Sequence, residues 1–204
     1  IQVHFGVNLS RFKYTEEPRK YDFGFTGGLH ANHLDYRSLV KKEIFSSTGL
    51  RFKSNKEWKA FLRRGLLKKK YNSYNVYWAE FGSRDIFGRN LLPSGDSYAK
   101  FLGGFKCFLN TPSAVGIFNT RFFELMASKT LIVCPRVDSY DGILKDKVNC
   151  LMFAPDLSDF DQIIKTAVND EVRNRLTSSA YRGIEGHSYD SRVQQVIEAT
   201  RLLS

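Results

Sequence analysis

Apolar residues are distributed along this chain in two alternating patterns. Short stretches rich in them occupy residues 21–26, 76–81, 105–109, 130–134 and 150–153. Brief, nearly continuous runs predict strands buried on both faces, the condition of a parallel sheet. Between them apolar residues recur at intervals of three and four. That spacing predicts helices over 36–45, where Leu39, Val40 and Ile44 share a face, and over 97–102, 119–128, 158–168, 171–181 and 190–203. A further strand is expected at 50–53, then a helix that Asn55 can cap and that carries Trp58, Phe61, Leu62 and Leu66. A helical turn is expected at 141–144. Glycines punctuate the pattern at Gly27-Gly28, Gly49, Gly82 and Gly103-Gly104. Strands separated by helices predict an α/β fold, a Rossmann-like parallel sheet with helices on both faces. Ligands of such sheets sit in the crevice beyond the strand C-termini. The loops that begin at Gly27, Gly82, Thr111 and Pro135 are therefore the places to look for chemistry.

Composition narrows the class. A length of 204 residues is enough to bury a sizeable core in a single domain. No apolar run approaches the roughly 20 residues of a membrane helix, so no membrane span is expected. No signal peptide is visible, and a chain that opens on Ile1 is expected to be a fragment. The three cysteines, Cys107, Cys134 and Cys150, lie in apolar runs without a CxxC pair or metal-ligand spacing. They read as reduced, buried thiols, in keeping with a cytoplasmic protein that holds no metal. The net charge of +10 makes an anionic partner plausible. Much of the positive charge lies between 53 and 70, in Lys53, Lys56, Lys59, Arg63, Arg64, Lys68, Lys69 and Lys70. A solvated helix face is the favoured reading. A module that grips nucleic acid or another polyanion is the alternative, although no nucleic-acid motif accompanies the charge.

Three places can carry chemistry. Gly27 and Gly28 end the first predicted strand and allow the backbone to approach a bulky anion such as a diphosphate; a plain turn is the competing reading. Arg37 on the next helix is either a surface charge or a guanidinium fork for phosphate. In the loop with Thr111, Ser113 and Gly116, Asn119 and Thr120 open a helix whose free N–H groups attract anions. Asn119 is equally an ordinary N-cap. In that helix one carboxylate, Glu124, interrupts an apolar run. A helical wheel puts Phe118, Phe122, Leu125 and Met126 on a core face, and Thr120, Glu124 and Ala127 on another. Glu124 either accepts hydrogen bonds from the vicinal hydroxyls of a ribose or pairs at the surface with Arg121. His30 and His33 follow the glycine turn and read as exposed loop residues. His187 introduces the last helix, with Ser188 as its cap.

The run "FNTRFFELMASKTLIVCP", followed by "ILKDKVNCLMF" and "HSYDSRV", resembles the C-terminal half of GT-B glycosyltransferases, closest to their group-1 (GT4-like) branch. The opening "VHFGVNLSRFKYTEEPRKYDFGFTG" resembles the linker and first strand of such a half. The resemblance implies one donor-binding domain over 1–204, with 1–20 as interdomain linker and 188–204 as closing helix. It implies a UDP- or GDP-sugar donor, a glycan or other acceptor, no further cofactor, and no metal. Glu124 matches the acidic residue that holds the ribose. The segment 113–120 matches the part lying against the diphosphate, Gly27 and Gly28 the glycine turn, and Arg37 a basic phosphate contact. Phe81 and Gly82 lie where the base is held. The acceptor site, and usually the catalytic base, belong to an N-terminal domain outside this chain. Two positions depart from the pattern: Gly116 stands where a second glutamate contacts the transferred sugar, and Lys129 where a turn glycine is usual. A relative that keeps the fold but has lost the donor is the remaining alternative.

Overall fold

A computed structural model describes residues 5–29, 36–46, 74–80, 82, 92–113, 118–140 and 142–202. Five strands form one parallel sheet: β1 (Tyr21–Gly27), β2 (Val76–Glu80), β3 (Phe105–Leu109), β4 (Leu131–Pro135) and β5 (Leu151–Phe153), in the order β2-β1-β3-β4-β5. The helices are α1 (Tyr36–Ser46), α2 (Asp96–Gly103), α3 (Thr120–Ala127), α4 (Phe160–Val168), α5 (Asp170–Arg182) and α6 (Tyr189–Arg201). The α/β architecture expected from the periodicity is thus the one observed. The expected strand at 50–53, the basic stretch at 53–70, His30, His33 and Gly116 lie outside the described residues. The helical turn expected at 141–144 falls earlier, as a 3-10 turn at Asp138–Tyr140. Tyr140 fixes it there, because its buried hydroxyl donates to the Pro135 carbonyl at 3.0 Å.

Each face of the sheet is covered. On one, Phe23, Phe25, Trp78, Cys107, Val133 and Phe153 pack against Val40 and Ile44 of α1 and Phe160, Ile163 and Ile164 of α4. On the other, Phe105, Phe108, Ile132 and Met152 pack against Leu102 of α2 and Phe122, Phe123 and Met126 of α3. Both faces of the strands are apolar because both are dry, which is why their runs show no strict alternation. The three cysteines are buried and unpaired. Gly24 in β1 has no room for a side chain: a Cβ there would strike the Phe105 ring and come within 2.7 Å of Phe108.

Residues 5–20 are fastened to the domain rather than trailing from it. Val7 exchanges hydrogen bonds with the His187 carbonyl and the Tyr189 amide at 2.9 and 3.1 Å, and Val7 and Phe12 are buried in the core. Arg19 donates to the carbonyls of Gly103, Ser128 and Lys129. Burial pulls its pKa below the usual arginine value, as expected for a guanidinium sunk among carbonyls. At the other terminus the Ser188 hydroxyl accepts from the Ser191 amide at 3.1 Å, the cap read from the sequence.

The order of connections places the crevice. From β1 the chain passes through α1 to β2 on one side, and β3 then takes the other side of β1, with α2 on the opposite face. The strand order therefore reverses between β1 and β3, where a ligand crevice is expected beyond the C-termini.

Candidate functional site

Two clusters meet at that switch point. The first is a hydrogen-bonded clasp between the ends of β1 and β3. Arg37 donates to the Gly28 carbonyl at 2.9 Å, the Thr111 hydroxyl at 2.7 Å and the Pro112 carbonyl at 3.3 Å. It was expected as a phosphate fork. These donors instead turn into the protein and hold two loops at a set separation. Asn119 occupies the N-cap position of α3, yet its side chain does not cap the helix. It accepts from Asn110 at 3.0 Å and donates to the Thr111 carbonyl at 2.8 Å. The first turn of α3 therefore has no side-chain cap; the Phe122 N–H donates to the Asn119 carbonyl at 3.2 Å, while those of Thr120 and Arg121 have no partner among the described residues. Thr111 is buried in this clasp, while Ser113 and Thr120 are half-buried on its rim.

The second cluster lines a cavity of about 450 Å³ beside the end of β1. Glu124 and Arg121 come from α3, Thr26 from β1, and Tyr98 from α2; Asn8, Arg11 and Phe12 of the N-terminal segment and Tyr189 of α6 close the wall. Glu124 thus protrudes beside a cavity rather than into bulk water. The surface pairing with Arg121 is not what the helix builds. Arg121 turns away, donating from Nε to the Tyr98 hydroxyl at 2.9 Å and from Nη1 to the Thr26 carbonyl. Among the described residues no cation stands within ion-pair distance of Glu124. Burial pushes its carboxyl above the usual range, against the opposing pull of Arg121 and Arg11. The exposed side of α3 is narrower than the wheel suggested, because Phe123 and Ala127 are fully buried.

Gly27 joins the two clusters. Its φ of 155° suits glycine, and the place a Cβ would take lies 3.7 Å from Arg121 Nη1. Gly82 follows β2 with φ 77°; no described residue lies within 4 Å of where its Cβ would be, and it does not line the cavity. Phe81, expected near a base, lies outside the described residues. Tyr98 and Arg11 were not legible as site residues, since each comes from a distant segment. Arg121 was read only as a surface partner of Glu124. His187 stacks on Phe123 with ring centroids 4.8 Å apart, a packing role away from the site. Among the described residues no group of three His, Cys, Asp or Glu is placed to hold a metal, and no helix is long and apolar enough to cross a membrane.

A helix start, a glycine turn and a half-buried carboxylate thus meet at one end of the sheet. A family model described as glycosyl transferase-like matches residues 56–198, more than half of the chain. The chain belongs to the glycosyl transferase-like family. The match takes in most of the basic stretch at 53–70, so that charge sits within a glycosyltransferase domain. No curated protein matches this family member in sequence. Among solved structures, the C-terminal domain of the group-1 glycosyl transferase LpcC from Francisella tularensis superposes with a TM-score of 0.58 at 12% identity, over 90% of this chain and 100% of that one. Anabaena HepE in complex with UDP-glucose gives 0.61 at 13% identity, over 98% of this chain but 56% of HepE. The S. aureus TarM variant solved with UDP gives 0.59 at 14%, over 97% of this chain and 38% of TarM. The fold of this glycosyltransferase-family chain is that of a GT-B C-terminal domain, and it spans about half or less of the longer proteins it resembles.

Proposed function

We propose that the chain is the donor-binding half of a glycosyltransferase that moves a sugar from a UDP- or GDP-linked donor to a glycan or other acceptor. The observation that carries this reading is Glu124, a half-buried carboxylate without an ion-pair partner among the described residues, facing a cavity at the switch point of a parallel sheet. A ribose diol donates two hydrogen bonds to such a group and relieves its desolvation. The diphosphate lies against Gly27, Gly28 and the uncapped start of α3 at Thr120. There amide N–H groups and the helix dipole meet the charge that develops as the sugar departs. Arg37, Thr111, Ser113 and Asn119 hold that wall in place. The UDP-glucose bound to HepE supports a uridine donor. The acceptor site and the catalytic base belong to a preceding domain, in keeping with the greater length of HepE and TarM. A cytoplasmic location fits the reduced thiols.

Thermal unfolding with UDP, GDP and their sugars tests this. A cognate ligand at 100-fold its Kd adds about 2.7 kcal/mol, which is about 5–10 °C for a domain of this size. Glu124→Gln is expected to remove most of the shift. Absence of protection by every nucleotide and nucleotide sugar sinks the reading, and protection by UDP but by no nucleotide sugar favours a relative that has lost the donor sugar.

A further inference from the structure

The edge of the sheet away from β2 holds a cavity that the donor reading does not use. β5 is that edge strand, and β3 and β4 separate it from β1. Beside it, against α4 and α5, lies a cavity of about 340 Å³, within the range of about 300–1,000 Å³ usual for small-molecule sites. Its floor is apolar, made by Leu151 of β5, Ile163 of α4, and Val172 and Leu176 of α5. Its rim is cationic: Arg136, Lys147 and Arg175 stand against one lining carboxylate, Asp159. Arg136 is answered by Asp146 and Asp159, at 3.3 and 4.0 Å. Lys147 and Arg175 have no counter-ion among the described residues. Lys147 is fixed in place by a braced turn. Its backbone is left-handed, φ 59°, and its N–H donates to the Cys150 carbonyl at 2.9 Å. Asn149 accepts from the Lys145 amide at 2.7 Å and donates to the Ile143 carbonyl at 2.8 Å.

Two features decide what kind of occupant fits. The outer edge of β5 is already taken: the Met152 amide donates to Asp146 at 2.8 Å, and Arg136 donates to the Met152 carbonyl at 3.2 Å. A peptide strand therefore finds no free ladder to join. The floor is also recessed, with Leu151 and Leu176 each only 1% exposed. A flat surface does not reach it, whereas a slender chain does.

We propose that this cavity is a second binding site, for a small amphipathic anion: one aliphatic chain with a carboxylate head. The chain lies on Leu151, Ile163, Val172 and Leu176, where each methylene removed from water adds to affinity. The head meets Lys147 and Arg175, the two cations without an internal partner, and their charge selects an anion over a neutral amphiphile of the same length. The site stands apart from the donor crevice and does not depend on it.

The test is calorimetric titration of the whole chain at neutral pH with decanoate, hexanoate and decanol, each kept monomeric. One decanoate is expected to bind per chain. Hexanoate, with a shorter chain, is expected to bind more weakly by about 10-fold or more. Decanol, which lacks the charge, is expected to bind about 10-fold more weakly. Replacing both cations, Lys147→Gln with Arg175→Gln, is expected to bring decanoate down to the level of decanol. Gln162→Trp, at an exposed position of α4 on the cavity wall, is expected to fill the mouth and abolish decanoate binding while the melting temperature stays that of the wild type. Equal affinity for decanoate and decanol overturns the proposal, as does decanoate binding that survives Gln162→Trp, or no decanoate binding at all. Should Gln162→Trp fail to fold, unchanged decanoate affinity in the double glutamine variant overturns it. Binding to anionic phospholipid vesicles without uptake of monomeric decanoate would mean a membrane-facing surface and overturn it too.

Discussion

At the residue scale, Glu124 is the instructive case. A carboxylate whose folded pKa is raised stabilises the fold only when protonated. That contribution is present below the unfolded value and is lost as pH rises through the folded one. The wild-type chain is therefore expected to lose stability, relative to Glu124→Gln, as pH climbs from the ordinary glutamate value near 4.5 upward. Melting temperatures of the two proteins across pH check this, and parallel curves would contradict it. On the donor-binding reading, the stability sacrificed is what a site residue gives up for a ligand. Lys129 shows the opposite economy. It sits at φ 48°, where glycine is usual, in a Schellman turn closed by bonds from Lys129 N to Met126 O and Thr130 N to Leu125 O at 3.1 and 2.9 Å. The left-handed conformation costs about 1–2 kcal/mol. Its ammonium lies 4.3 and 4.9 Å from the ring centroids of Tyr14 and Tyr181, contacts that offset part of that cost. The departure from the family's glycine is thus accommodated by aromatic neighbours from two distant segments.

At the element scale, β1 and α3 carry the site, and both were legible. Their boundaries fall within a residue of those read from the apolar runs, since a run or a 3.6-residue period is written locally. What β1 does with Gly24 was not legible. In the sequence it reads as a weak point in a strand. In the sheet it pairs with Phe108 of β3 and Tyr77 of β2, and leaves the space that the Phe105 ring fills. Gly24→Ala is expected to destabilise by about 1–3 kcal/mol through overpacking, measured by denaturant unfolding. A neutral outcome would mean the aromatic cluster yields. The same limit explains Asn119. Its type announced a cap, and its position is that of a cap, but the side chain serves Asn110 and Thr111 because β3 lies beside it.

At the scale of the whole molecule, the cavity is an assembly of remote pieces. Asn8, Arg11 and Phe12 of the N-terminal segment and Tyr189 of α6 meet α2 and α3 across it. Phe12 is buried and meets Tyr98 edge-on with centroids 6.3 Å apart. Phe12→Ala is expected to cost about 3–5 kcal/mol and to weaken nucleotide protection as well, because Phe12 forms part of the cavity wall. Circular dichroism melts with and without UDP separate the two effects. Full stability in the variant would show that the segment is a loose tether.

The order of strands and helices, the two-sided burial of the sheet and the carboxylate on α3 were determined by the sequence alone, because alternation and helical period act over a few residues. The partners of Arg37, Arg121 and Gly24, and the cavity that Glu124 faces, were decided by the tertiary structure. Those contacts depend on which strands become neighbours, and the β2-β1-β3 order brings together residues up to about a hundred positions apart, such as Thr26 and Arg121. No local pattern encodes such a meeting; it arises only when the sheet closes around β1 and buries the aromatic rings on both sides.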